Sequence, residues 1–172
     1  MALLQILTAP DPRLKVVAQP VVAVDDDVRR LMDDMLETMY AADGIGLAAT
    51  QVGVAKRVVV IDLAAMSDKP PQILKLANPE ILWSSDQDVM SREGCLSVPG
   101  VFDDVIRSTR CTVRYLDEQN ELRELNAEGL LAACLQHEID HLNGRLFVDH
   151  LSPLKRSMAL KKLTKMKRLA GN

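Results

Sequence analysis

Two histidines four residues apart, with a glutamate after the first, constrain this chain more than any other feature. The segment reads His137-Glu138-Ile139-Asp140-His141. On an α-helix such positions share a face about one turn apart. Two imidazoles held that way can bind one divalent metal. Glu138 is then close enough to take a proton from a metal-bound water. The chain has three histidines, so most of its imidazole is placed at this spacing. A catalytic metal of this kind takes three protein ligands and leaves one position for water. The fold must therefore bring a third ligand to this helix.

Geometry sorts the candidates. Cys134 lies seven residues before His141, about 10 Å along a helix axis. Bonds of about 2.0–2.3 Å do not let one ion reach both. Cys134 is better read as a small apolar residue lining the cleft. A metzincin needs a histidine six residues after His141, where this chain has Phe147. A gluzincin needs a downstream glutamate, and none follows Glu138. Asp149 is the only carboxylate after Asp140, which leaves open a small zinc endopeptidase using His137, His141 and Asp149. The other candidate is Cys95, in Glu93-Gly94-Cys95-Leu96-Ser97-Val98-Pro99. Gly94 allows close backbone approach, Pro99 fixes the loop's exit, and a thiolate is a strong ligand for zinc and iron.

With 172 residues the chain suits one catalytic domain, residues 1–172, able to bury a sizeable core. No apolar run approaches a membrane span, and the N-terminus has no basic segment of a secretory signal. A cytoplasmic protein without membrane contact is expected. The three cysteines, Cys95, Cys111 and Cys134, argue against a disulfide framework. Charge is unevenly spread. Residues 1–150 carry 14 Lys and Arg against 24 Asp and Glu, a balance of −10, and seven cations with no acid follow His150. The body repels nucleic acid and only the tail could attract it, without sequence specificity.

The pattern predicts a helix from Val28 to about Ala42, capped by Asp25-Asp26-Asp27. Small-residue, turning backbone follows over Gly44–Gly53. Lys56–Leu63 is β-branched and predicts a buried strand. Ile73–Trp83 reads as extended with a break at Asn78-Pro79, and Asp88–Ser91 as a short strand. Arg110–Leu116 and Glu121–Asn126 form a hairpin around Asp117–Asn120. Gly129–Leu142 is the histidine helix. A short strand, Leu146–Val148, leads to a basic helix, Leu154 to about Leu169, within a tail of residues 152–172. Its Leu154, Met158, Leu160, Leu163, Met166 and Leu169 read as one apolar stripe. The expected class is α+β: mostly antiparallel sheets packed around a central HExxH helix, with N-terminal and C-terminal helices.

Three segments together resemble the signature motifs of the peptide deformylases. They are Gly44-Ile45-Gly46-Leu47-Ala48-Ala49-Thr50-Gln51, Glu93-Gly94-Cys95-Leu96-Ser97 and Gln136-His137-Glu138-Ile139-Asp140-His141. Their order matches the family's, and the tail resembles that of Gram-negative bacterial members. The resemblance implies hydrolytic removal of the formyl group from the N-terminal formylmethionine of new polypeptides. It implies Cys95, His137 and His141 as metal ligands and Glu138 as the acid/base. It places Gln51 and the Leu96 N–H at the formyl oxygen. The implied metal is ferrous iron, with zinc, nickel or cobalt able to substitute. Leu130, Ala133, Cys134 and His137 recur on one side of the helix and with Ile45 could line a methionine slot. Peptide backbone could add alongside Gly44-Ile45-Gly46 as an extra strand. The tail helix is expected to dock on the ribosome. Two positions depart from the pattern: Phe102 stands where some relatives carry arginine, and Ala133 is small where relatives are bulkier.

Overall fold

The computed structural model describes residues 2–171. Helix α1 (Asp26–Ala41) precedes strands β1 (Gly46–Ala48), β2 (Val58–Asp62), β3 (Ile73–Ser84), β4 (Asp88–Cys95), β5 (Val98–Ser108), β6 (Arg110–Leu116) and β7 (Leu122–Glu128). Helices α2 (Gly129–Leu142) and α3 (Pro153–Leu169) follow. Five strands form one antiparallel sheet in the order β1-β2-β3-β6-β7, and β4 and β5 form a separate hairpin sheet. The class is α+β, as the alternation of hairpins and helices predicts.

The β-branched run of β2 explains the layering. All five of its residues are buried, and successive strand side chains point to opposite faces. Val58 and Val60 pack with Met32, Met35 and Met39 of α1. Val59 and Ile61 pack with Leu135, Ile139 and Leu142 of α2. The large sheet is therefore covered on both faces, with α2 held on one of them. A third cluster joins Val98, Val101 and Val105 of β5 to Phe147, Val148, Ala159 and Leu163, with Cys95 at its edge. That cluster seats the hairpin sheet beside α2.

Asp25 caps α1 by accepting from the Val28 N–H at 2.9 Å. The expected break at Asn78-Pro79 is a register shift in the pairing of β3 with β6, with Asn78 at φ 49°. Two expectations fail and a third falls short. The segment read as a strand at Leu146–Val148 is a 3-10 turn, Phe147–His150. The Asp149 carboxylate accepts from the Leu146 N–H at 2.9 Å, closing the backbone locally instead of leaving it for a ladder. The short strand at Asp88–Ser91 continues to Cys95 and pairs with β5, which alternation alone did not reveal. The apolar stripe of the tail is divided. Leu163 is buried with Ala159, while Leu154, Met158 and Leu169 face solvent.

Candidate metal centre

Helix α2 and the end of β4 bring three ligand atoms together. His141 Nε2 lies 3.2 Å from His137 Nε2 and 3.3 Å from Cys95 Sγ. All three atoms fall within 4.8 Å of one another. A tetrahedral ion with bonds of about 2.0–2.3 Å would set its ligand atoms roughly 3.3–3.6 Å apart. The two distances measured from His141 lie close to that spacing. Burial pushes the His141 pKa well below its usual value, whereas at His137 the Glu138 charge, Cys95 and Glu93 outweigh burial and push it up. Cys134 is outside the trio, as its helical position requires.

Asp149 is also outside it. Its carboxylate is taken by the Leu146 N–H, by Arg156 Nε at 3.0 Å and by Lys15. The endopeptidase reading loses its third ligand.

Behind the trio runs a polar network that sequence reasoning missed. His137 Nδ1 is 2.9 Å from Glu93 Oε1. Arg107, 4% exposed, grips Glu93 with two hydrogen bonds of 2.8 and 2.7 Å and reaches Asp140 at 2.7 Å. His150 Nε2 completes it, 2.8 Å from Asp140 Oδ2. Burial raises the Glu93 pKa, but Arg107 and His137 outweigh it and hold the carboxyl at about 2. A carboxylate on the far nitrogen of a ligating histidine fixes the ring's orientation and tautomer. One signal was available: Glu93 is two residues before Cys95, hence on the same face of β4.

Glu138 is 4% exposed, and its Oε1 has no hydrogen-bond partner among the described residues. Burial pushes its pKa up to about 7. Such an acid exchanges protons readily near neutrality. Gly46 explains the carboxylate's placement. A Cβ there would stand 2.5 Å from Glu138 Oε2 and 3.1 Å from Cys134 Sγ. Gly44 is buried beneath Leu96, whose Cδ1 a Cβ would meet at 2.7 Å.

Gln51, 1% exposed, follows β1 in a 3-10 turn. Its Oε1 accepts from the Ala48 N–H at 2.9 Å, which fixes the amide's orientation. Its Nε2 then donates to Ser97 Oγ at 3.0 Å and lies 3.5 Å from Cys95 Sγ. A cavity of about 520 Å³ joins these groups. Ile45, Gly46, Gln51, Cys95, Leu96, Leu130, Ala133, Cys134, His137 and Glu138 line it. Of the residues expected at the substrate, Gly44 alone is not in its wall.

A Cys/His/His trio beside an unpaired buried acid, opening into such a cleft, defines a mononuclear metallohydrolase. The polypeptide deformylase family model matches residues 3–157. A peptide deformylase of Phenylobacterium zucineum is 58% identical over 166 residues, 96% of this chain and 97% of that protein. The crystal structure of a peptide deformylase from Legionella pneumophila superposes with a TM-score of 0.92 at 49% identity, covering 99% of both chains. One from Ehrlichia chaffeensis in complex with actinonin gives 0.92 at 45% identity, covering 98% of this chain and 99% of that one. The chain belongs to the polypeptide deformylase family, metal-dependent hydrolases that remove the formyl group from new polypeptides.

Proposed function

We propose that the whole chain is one catalytic unit that deformylates nascent polypeptides in the cytoplasm, using Cys95, His137 and His141 to hold a ferrous ion. The observation that carries this reading is the approach of those three ligand atoms beside the unpaired Glu138 carboxylate. A divalent ion held there supplies the Lewis acidity that makes water nucleophilic near neutral pH.

Glu138 takes a proton from the attacking water and returns it to the leaving amine. The C–N bond of the formamide breaks, giving formate and a free methionine amine. The Gln51 amide and the Leu96 N–H are disposed to hold the formyl oxygen as it gains negative charge. Gln51 must then share a donor now given to Ser97. Ile45, Ala133, Cys134 and Leu130 provide an apolar slot for methionine. Strand β1 pairs with β2 on one side only. Its neighbouring Gly44-Ile45-Gly46 backbone can thus take an extended peptide through main-chain hydrogen bonds.

The test is anaerobic purification, metal analysis, and assay on formyl-Met-Ala-Ser. Iron at one ion per chain and release of formate are expected. Cys95→Asp retaining full metal and cleaving internal peptide bonds would overturn the assignment.

The tail supports a ribosomal partner. Lys155 and Arg156 pair with Asp103 and Asp149, and Lys167 donates to the Ala9 carbonyl. Lys161, Lys162, Lys165 and Arg168 form no ion pair among the described residues. Phosphate-rich RNA attracts such a face, with steep salt dependence. Replacing those four by Gln should abolish co-sedimentation with ribosomes at low salt. Undiminished co-sedimentation would make α3 a surface helix only.

A further inference from the structure

We propose that His150 is a positioning residue for His137, acting on that ligand's ring through Asp140, Arg107 and Glu93. The proposal rests on the metal-centre reading above. His150 Nε2 lies 2.8 Å from Asp140 Oδ2. A carboxylate oxygen only accepts, so the ring donates. The same oxygen accepts from Arg107 Nη1 at 2.7 Å. Glu93 Oε1 is shared in the same way, by Arg107 Nη2 at 2.7 Å and by His137 Nδ1 at 2.9 Å. Two shared oxygens, with one guanidinium between them, thus link an imidazole near the surface to one in the metal centre.

The turn that carries His150 also touches His137 directly. Residues three apart fall on one side of a 3-10 helix, so Phe147 and His150 at the ends of this turn both face α2. Phe147, 1% exposed, stacks on the His137 ring, with centroids 6.2 Å apart and planes 24° from parallel. Phe147 limits how far the ring can tilt. The hydrogen-bonded chain sets its rotation and which nitrogen carries the proton. The turn is itself fixed, since Asp149 accepts from the Leu146 N–H and pairs with Arg156 and Lys15.

His150 is the outermost member of the chain and the one that holds Asp140 in place. The Asp140 side chain is 19% exposed and that of His150 23%, so water reaches this end of the network. Without the imidazole, Asp140 Oδ2 keeps Arg107 alone, and its carboxylate can turn toward water. Arg107 then loses the fixed anion opposite Glu93, and its two-point hold on Glu93 slackens. The outer partner of a ligating histidine is typically worth about 10–100-fold in metal affinity or activity. His150 stands three hydrogen bonds beyond Glu93, so a smaller share, about three- to tenfold, is expected. It lies outside the lining of the substrate cavity, so substrate binding should be spared.

The experiment equilibrates the cobalt-loaded full chain with a competing chelator of known affinity and records its visible absorption bands. His150→Leu should bind cobalt about three- to tenfold more weakly and shift the bands. Its kcat on formyl-Met-Ala-Ser should fall by a similar factor, with KM unchanged within about twofold. His150→Gln, whose amide carries an N–H to nearly the same point, should return affinity and bands to within about twofold of wild type. In an Asp140→Ala background, where the path is already cut, His150→Leu should add less than about a twofold further loss. Wild-type affinity and bands in His150→Leu overturn the proposal. So does a Gln variant no better than Leu, or losses from Asp140→Ala and His150→Leu that simply multiply. A wild-type chain that takes up no cobalt sinks the metal-centre reading itself, and the positioning role with it.

Discussion

Helices α2 and α3 are close in length, 14 and 17 residues, yet their polar residues meet opposite fates. On α2, His137, Glu138 and His141 are buried. Each meets a defined environment: a carboxylate behind one imidazole, the Cys95 sulfur beside the other, and an acid between them. On α3 only Ala159 and Leu163 are buried, and the cations lie outside. Side chains of comparable polarity become chemistry in one helix and solvated charge in the other. The difference comes from what packs on them: the large sheet and the hairpin enclose α2, while α3 covers only the edge of the β5 cluster.

The largest expected effect tests the α2 side. Glu138→Gln keeps the side chain's size, so it should fit against Gly46 and leave the ligand trio intact. It removes the proton carrier, and kcat should fall by about 10²–10⁴. Metal content, measured on the same preparation, should not change. A variant that arrives without metal would make Glu138 a structural residue.

Next comes the network behind the trio. Arg107→Ala leaves the Glu93 and Asp140 carboxylates without their shared cation. Breaking a buried pair by removing one partner costs about 3–5 kcal/mol. Loss of support for His137 should also weaken metal binding by about 10–100-fold. Denaturant unfolding and a metal-competition titration read the two effects separately. Arg107→Lys should recover only part of each, because an ammonium cannot reproduce the bidentate grip. Wild-type stability in Arg107→Ala would show the pair to be dispensable.

What could be read from the sequence follows the same division. The histidine helix was legible because its period fixes which residues share a face. The buried β2 strand was legible from its β-branched composition. Strand β5 was not, since Asp103 and Asp104 interrupt its apolar positions and its partner lies across a tight turn. The Glu93–Arg107 pair depends on that hairpin and was hidden with it. Of the site, the trio, Glu138 and Gln51 could be named from motifs. The constraint on Gly46, that Glu138 leaves no room for a side chain, needed coordinates.

Within α3, two leucines that read alike in sequence should now separate. Leu163 is 1% exposed against Phe147 and Val101, whereas Leu169 is 79% exposed. Leu163→Ala should cost about 2–4 kcal/mol, transfer and cavity terms together. Leu169→Ala should stay within about 0.5 kcal/mol. Denaturation midpoints decide. Equal effects would mean that α3 does not pack as described and that the contrast with α2 is stronger still.

The smallest effect concerns what anchors α3. Asp149 ties Lys15, the Leu146 N–H and Arg156 into one cluster. Burial pushes its carboxyl up, but the Leu146 N–H, Lys15 and Arg156 outweigh burial and hold the pKa below 3.8. A folded value below the unfolded one means that ionised Asp149 stabilises the fold above about pH 4. That contribution disappears as pH falls through the lower folded value. Glu93, held at about 2, loses its own contribution over the same acid range, so the difference between Asp149→Asn and wild type is what reports on the α3 anchor. Asp149→Asn should therefore be less stable than wild type at pH 7, and the gap should narrow as the pH is lowered to 3. Urea midpoints of both proteins across that range provide the check. Midpoints that coincide at every pH would show that the Asp149 cluster adds nothing to stability, leaving α3 attached by Ala159 and Leu163 alone.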